Sequence, residues 1–227
     1  MKHKMSGELD YTQYQQDELP YTCSDIVSTK YEFYIDQDIL EPSYYRNLIT
    51  VLNNATENDL VILNINSQGG SLDSAISIMQ ALRDTRAETI AHTVGSCYSA
   101  ATLLALSCNN VDVGEFSNWM IHDGSYAVAS KSSDIVTRAS FENKFIRSIF
   151  KSVYIPFISE QEMDDVMRGV DLWMTSDEVR ERFESMRELQ EQEFLDEIND
   201  FEDDSDEDHD NDQPEIKVVK KKKPLLS

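Results

Sequence analysis

The amino-acid sequence predicts an α/β fold in which strands and helices alternate within one domain. Two short, mostly apolar runs, 60–65 and 89–94, have the composition of strands that are buried on both faces. Each run is followed by a turn and then by residues with helical periodicity. A length of 227 residues suits one such domain with a tail rather than two domains. We therefore expect parallel strands joined by helical crossovers.

The first predicted elements precede a turn rich in glycine. Residues 1–28 are polar and lack a sustained period, so we interpret them as an N-terminal arm. Alternating apolar and polar side chains at 31–35 predict a strand, and a helical segment follows it. The run LVILNI at 60–65 predicts the next strand, which ends in the turn NSQGG at 66–70. Ser71 is the expected N-cap of the helix after this turn.

Similar signals continue along the second half of the domain. Residues 89–94 predict a strand and 95–98 a turn, and a helix that opens in small residues begins at Ser99. Apolar side chains at helical spacing over 133–157 predict a long helix, which Pro156 is expected to stop. The remaining expected elements are short strands at 111–113, 119–122 and 172–174, a helix at 160–167, and a helix capped by Ser176.

Composition divides the chain into three segments, which are the arm at 1–28, the domain at 29–194 and a tail at 195–227. Residues 188–212 contain fourteen Asp and Glu and no Lys or Arg, whereas 213–227 contain five Lys. Such a tail cannot bury a core, so we expect disorder. We interpret it as a solubilising spacer, and its KKKK run leaves open a contact with acidic surfaces or a localisation signal.

Charge, hydropathy and cysteine content exclude several classes of protein. The net charge of -23 argues against nucleic-acid binding, because phosphates attract clustered Lys and Arg. No apolar run approaches the roughly 18 to 20 residues that cross a bilayer, and the first residues lack the apolar stretch of a secretory signal. Cys23, Cys97 and Cys108 form no CxxC pair, so neither a disulfide framework nor a zinc site is indicated. We expect a cytoplasmic protein without a membrane partner.

Three residues could together supply the chemistry of a serine peptidase. That chemistry needs a hydroxyl at a sharp turn, a histidine that takes its proton and a carboxylate that orients the histidine. Ser99 begins a helix, where free amides and the helix dipole favour developing negative charge. His122 ends a strand-like run, and Asp171 precedes another. Each residue also has an alternative role: an N-cap for Ser99, a structural role for His122 and a solvated turn for Asp171. Ser96 competes with Ser99 as nucleophile, and the acids that compete with Asp171 are Asp164, Asp165 and Asp177.

The glycine turn at 66–70 could also serve a functional site. A strand, a glycine turn and a helix can cradle a phosphate, but this turn lacks the Lys-Ser/Thr ending of a P-loop and the GxGxxG spacing of a dinucleotide site. Close backbone approach to a peptide, with donation of an amide to an oxyanion, is the better use of these glycines.

Five segments of the sequence, in register from about residue 31 to 183, resemble the proteolytic subunit of the Clp protease. INSQGG (65–70) resembles the family's INSPGG, GSCYSAA (95–101) its GQAASMG, NWMIHDG (118–124) its SRVMIHQP, SSDI (132–135) its ASDI, and DLWMTSDEV (171–179) its DRFLSAEEA. Agreement of five segments in order is far more specific than any one of them.

The resemblance implies a crotonase-like α/β spiral of repeated β-β-α units with a long handle-type helix. It also implies a serine endopeptidase that cleaves unfolded polypeptides, with Ser99 as nucleophile, His122 as general base and Asp171 as the orienting acid. The amides of Gly70 and Ala100 would form the oxyanion hole, and no metal or organic cofactor is needed. Homo-oligomeric rings, expected to be heptameric, would enclose the sites, and an AAA+ unfoldase would be the partner.

Several positions depart from the family's pattern. Gln68 replaces a proline, Ala100 and Ala101 replace Met-Gly, and Asp123 and Gly124 replace Gln-Pro after the histidine. Asp123 adds a carboxylate that could perturb the histidine pKa or compete to orient the ring. Two other functions therefore stay open. One is a particle-maturation protease that acts without an ATPase, and the other is a non-catalytic subunit or adaptor that keeps the fold.

Overall fold

The computed structural model describes residues 27–124 and 131–203. Most of the predicted arm, and residues 204–227 of the predicted tail, lie outside this part of the chain. The elements are β1 (Lys30–Ile35), a short 3-10 helix (Pro42–Tyr45), α1 (Arg46–Asn54), β2 (Leu60–Ser67), α2 (Leu72–Asp84), β3 (Glu88–Tyr98), α3 (Ala100–Ala105), β4 (Asn110–Val113), β5 (Asn118–Ile121), α4 (Ser132–Tyr154), α5 (Glu160–Val166), β6 (Leu172–Thr175) and α6 (Ser176–Asp203).

A six-stranded sheet organises these elements in the order β1-β2-β3-β5-β6, with β4 also paired to β3. All the pairs are parallel except β5 with β6. Helices α1 and α2 connect the first three parallel strands, as short crossovers require. The predicted α/β fold is confirmed.

The core lies between this sheet and its helices. Val61, Leu63 and Ile65 of β2 are fully buried, as expected of a central strand in a parallel sheet. Every residue of α3 is also buried, and its alanines allow this short helix to pack closely on β3 and α2. The buried ring of Trp119 packs against Phe157 and Phe183, which ties β5 to α6.

The turn predicted at 95–98 is wrong, because β3 continues to Tyr98. Gly95 has a φ of +80° within the strand, and the Asn66 side chain accepts a hydrogen bond of 3.0 Å from the Ser96 amide. Before this bend β3 pairs with β4, and after it with β5. A glycine inside a strand thus marks a bend here rather than an end, and the bend carries the last residues of β3 to β5.

The last helix differs from the prediction at both ends. Thr175, and not Ser176, caps α6, because the Thr175 hydroxyl accepts the Glu178 amide while the Ser176 hydroxyl donates to the Glu115 carbonyl at 2.6 Å. The helix continues to Asp203, beyond Phe194, after which the sequence predicts disorder. Residues 195–203 contain no Gly or Pro, and Leu195, Glu197 and Glu202 favour helix. Within the described ranges, no helix has the length and apolar character needed to cross a bilayer.

Candidate active site

The sheet brings the predicted nucleophile, base and acid to one edge. Ser99 follows β3 and His122 follows β5, and these strands are parallel, so both residues leave the sheet at its carboxyl side. Asp171 precedes β6, which runs antiparallel to β5 with Ile121 opposite Leu172. His122 and Asp171 are the residues next to this last observed pair. The topology therefore assembles three residues that are far apart in the sequence.

The backbone of Ser99 has an unusual conformation for a residue with a side chain. Its φ is +53° and its ψ is -125°, and among the described residues it is the only non-glycine with a positive φ. Its amide donates to the Met120 carbonyl at 2.7 Å, and its carbonyl accepts hydrogen bonds from the Thr102 amide at 2.9 Å and the Thr102 hydroxyl at 2.6 Å. Such a conformation persists only when its surroundings enforce it, and strained residues concentrate at functional sites. Ser99 occupies the N-cap position of α3 without a capping hydrogen bond from its side chain.

The glycine turn packs directly against the turn that carries Ser99. Gly69 has a φ of +96°, and a Cβ there would lie 2.7 Å from the Tyr98 carbonyl oxygen and 2.8 Å from the Ser99 Cβ. Only glycine fits at that distance. On the other side of the turn, Ile39 donates its amide to the Gly69 carbonyl at 2.7 Å and accepts the Ser71 amide at 2.8 Å. The turn is thus held between Ile39 and the nucleophile.

Two amides of this region have no hydrogen-bond acceptor among the described residues. Ala100 is the first residue of α3, where helix amides lack intrahelical partners. Gly70 lies opposite Ile39 in an isolated parallel bridge. The hydrogen bonds of that bridge join Ile39 to Gly69 and to Ser71, so they do not use the Gly70 amide. Both residues line the pocket that contains Ser99, so their amides are free to donate to an oxyanion there.

A pocket of about 430 Å³ joins these groups. Ser99, His122, Gly70 and Ala100 all line it. Its apolar wall consists of Leu103, Ile146 and Phe150, which are at most 4% exposed, and its other lining residues are Gln68, Ser71, Leu72, Asp73, Gly124, Arg138 and Glu142. The predicted nucleophile, the predicted base and two amides without an acceptor among the described residues therefore line one cavity beside an apolar surface.

A family model described as Clp protease matches residues 31–208. The chain belongs to the Clp protease family. The match covers well over half of the sequence and contains every residue of the site described above. No curated protein matches this Clp protease family member. The family resemblance predicted from the sequence is confirmed, and the crotonase-like α/β class agrees with the observed sheet.

The acids that compete with Asp171 are all paired with arginines elsewhere on the surface. Asp164 contacts Arg147, Asp165 contacts Arg168, and Asp177 contacts Arg180. The Arg147 hydrogen bond also lowers the pKa of Asp164 below its ordinary value. Asp123, which follows His122 in the chain, and Asp171 differ from these. Asp123 accepts the Gly124 amide at 2.8 Å, and exposed Asp171 has no ion-pair partner among the described residues.

The other candidates for nucleophile and base lie outside the pocket. The Ser96 hydroxyl accepts a hydrogen bond of 3.2 Å from Gln68, the residue that replaces the family's proline. His92 lies within β3 and contacts Asn64 at 3.1 Å. Cys97 is completely buried, and its burial raises the pKa of the thiol well above the ordinary value, so a thiolate is disfavoured there.

The three predicted catalytic side chains do not all line the same pocket. Ser99 and His122 line the pocket, whereas Asp171 does not. In the described part of the chain, no hydrogen bond joins the Ser99 hydroxyl, the His122 ring and the Asp171 carboxylate. Catalytic hydrogen bonds often form fully only in the complex with substrate, so this arrangement does not exclude a triad.

Sequence reasoning missed the support beneath the nucleophile and one wall of the pocket. The Thr102 hydroxyl contacts the buried Tyr154 hydroxyl at 2.8 Å, and burial raises the pKa of Tyr154, which keeps the phenol neutral. Arg138 and Glu142 of α4 reach the pocket. The helical spacing of these two residues with Ile146 and Phe150 could have indicated that they share a face.

Proposed function

We propose that this Clp protease family member is a serine endopeptidase with Ser99 as nucleophile and His122 as general base. The observation that carries the proposal is that Ser99, in its positive-φ turn, lines one pocket with His122 and with the free amides of Gly70 and Ala100. Asp171 is the proposed orienting acid. The register of β5 and β6 supports this role, because Ile121 pairs with Leu172, and His122 and Asp171 are the residues next to that pair.

In the proposed mechanism, the His122 imidazole takes the Ser99 hydroxyl proton as Oγ attacks a peptide carbonyl carbon. The resulting oxyanion accepts hydrogen bonds from the Gly70 and Ala100 amides. His122 then returns the proton to the departing amine as the C–N bond breaks and an acyl-enzyme forms. Water, deprotonated by the same imidazole, releases the acid, and the Asp171 carboxylate stabilises the imidazolium in both steps.

The proposal extends to an enclosed assembly that acts on polypeptides. Family membership supports homo-oligomeric rings, heptameric in our proposal, and an AAA+ unfoldase that feeds them. Exposed apolar side chains on α4, among them Val136 at 71% and Phe141 at 65%, support contact with further copies of the chain. Native mass spectrometry of the purified protein tests the stoichiometry, and a monomer at micromolar concentration would contradict the ring.

The nucleophile is tested with a fluorophosphonate probe and intact-protein mass. Ser99→Ala is expected to abolish both labelling and peptide cleavage, whereas the matched variant Ser96→Ala keeps both, because Ser96 is not among the residues that line the pocket. Asp171→Asn is expected to keep the fold and to lower the cleavage rate on the order of 10⁴-fold. Labelling that persists in Ser99→Ala would show that a residue other than Ser99 is the nucleophile.

One observation favours a second candidate, a non-catalytic subunit that keeps the fold. Asp171 lies outside the pocket, and no hydrogen bond connects the three side chains among the residues described. If this candidate is right, the purified chain assembles with an active homologue and never labels at Ser99. Labelling of the chain alone would exclude it.

A further inference from the structure

One face of α4 lines the pocket beside Ser99 and changes in character along its length. Arg138, Glu142, Ile146 and Phe150 follow each other at intervals of four residues, and all of them line the pocket. Ile146 and Phe150 are each 4% exposed, whereas Arg138 and Glu142 retain contact with solvent. The wall that α4 contributes is therefore buried and apolar at Ile146 and Phe150, which we call the floor, and more exposed and charged at Arg138 and Glu142, which we call the mouth.

The charge of the pocket lining is asymmetric. The described Asp, Glu, Lys and Arg residues that line the pocket are Asp73, Arg138 and Glu142, so carboxylates outnumber these cations. Arg138 Nε meets Glu142 Oε1 at 3.4 Å in a single long contact, with the arginine side chain 63% exposed and the glutamate 29% exposed. Such a pair is weak, and the arginine can turn to solvent at little cost.

We propose that this pocket selects a long cationic side chain, lysine or arginine, on the residue whose carbonyl Ser99 attacks, and that Glu142 determines this specificity. The inference rests on the proposed function. The aliphatic stem lies on Ile146 and Phe150, and the cationic tip replaces Arg138 as the partner of Glu142. Glu142 and Ile146 are about 6 Å apart along the helix axis, a distance that the four-carbon stem of lysine can bridge.

The same arrangement disfavours acidic side chains at this position. A carboxylate in the pocket would meet both Glu142 and Asp73, and like charges in a partly desolvated site repel. A purely apolar side chain fills the floor but makes no contact with Glu142. The expected order of preference is therefore cationic, then apolar, then acidic, and the protein's net charge of -23 adds to the attraction of cations.

The test uses peptidyl diphenyl phosphonates that differ only in the residue bearing phosphorus, with lysine, norleucine or glutamate side chains. Ser99 Oγ bonds to phosphorus as phenoxide leaves and takes up the hydroxyl proton through His122, and intact-protein mass gives the labelling rate. In the wild type we expect the lysine probe to react about tenfold faster than norleucine and about 100-fold faster than glutamate. Glu142→Gln is expected to lower the lysine-to-glutamate ratio about tenfold.

Matched variants keep the test interpretable. Glu57→Gln removes an exposed carboxylate outside the pocket, paired with Arg86, and should leave the lysine-to-glutamate ratio unchanged. Arg138→Gln removes the partner of Glu142 and should raise the lysine-to-glutamate ratio of labelling rates. This variant tests the proposal if Glu142→Gln is too unstable to assay.

The outcomes separate the two proposals. Labelling of Ser99 with lysine and norleucine probes at equal rates, or a ratio unmoved by Glu142→Gln and Arg138→Gln, would overturn the selectivity while leaving the nucleophile in place. Absence of labelling by every phosphonate and by a fluorophosphonate would overturn the proposed function, and the selectivity with it.

Discussion

Gly69 lies so close to the nucleophile that the cost of adding one methyl group can be worked out. A Cβ there would lie 2.7 Å from the Tyr98 carbonyl oxygen and 2.8 Å from the Ser99 Cβ. The φ of +96° costs a side chain about 1–3 kcal/mol, and relieving the overlap costs about 1–3 kcal/mol more. Gly69→Ala should therefore destabilise the fold by roughly 2–6 kcal/mol, displace Ser99 and slow its labelling by fluorophosphonate.

Gly169 offers a matched control for this prediction. Its φ is +92°, but a Cβ there would meet nothing within 4 Å, so Gly169→Ala should show only the backbone cost of about 1–3 kcal/mol. Urea unfolding at fixed protein concentration, followed by tryptophan fluorescence, compares the two variants. Equal losses of stability, together with an unchanged labelling rate in Gly69→Ala, would refute the close approach of the glycine turn to Ser99.

Two further predictions concern groups that support the fold. The Arg182 guanidinium, with help from Ser159, lowers the pKa of Glu162 from 4.5 to about 2, so this carboxylate stabilises the folded state above pH 4.5 and loses that effect as the pH falls to 2. The melting temperature of Glu162→Gln should therefore fall less steeply than that of the wild type across this window, and parallel curves would contradict the pairing. Thr102→Val leaves the buried Tyr154 hydroxyl without a partner and should cost about 1–3 kcal/mol. The double variant with Tyr154→Phe should cost less than the sum of the singles in urea unfolding, and strict additivity would exclude the interaction.

Local patterns in the sequence were sufficient to predict the strands, the glycine turn and the candidate nucleophile. Apolar runs predicted β2 and β3, since strands buried on both faces show nearly continuous apolar residues instead of an alternation of polar and apolar ones. The five matching segments predicted the Clp protease family, which the match over residues 31–208 confirms. These signals succeed because they depend on residues that are close together in the chain.

Local patterns failed where a distant element decides the outcome. The glycine at 95 suggested a turn, but the Asn66 side chain and the pairing with β5 keep the strand continuous to Tyr98. The nature of the pocket wall depends on how α4 packs across α3, and periodicity alone does not state which residues of α4 face Ser99. The assignment of Ser99, His122 and Asp171 to catalysis stays a prediction.

The sequence by itself placed Ser99 after a strand and a turn, His122 at the end of a strand and Asp171 before one, and it put glycines where the backbone must approach closely. Only the tertiary structure decided that these three chain positions lie at the same edge of one sheet. Strands β3 and β5 run parallel and β6 runs antiparallel to β5, and strand direction and order depend on pairing between residues remote in the chain. That pairing is a property of the whole sheet, which no short stretch of sequence contains.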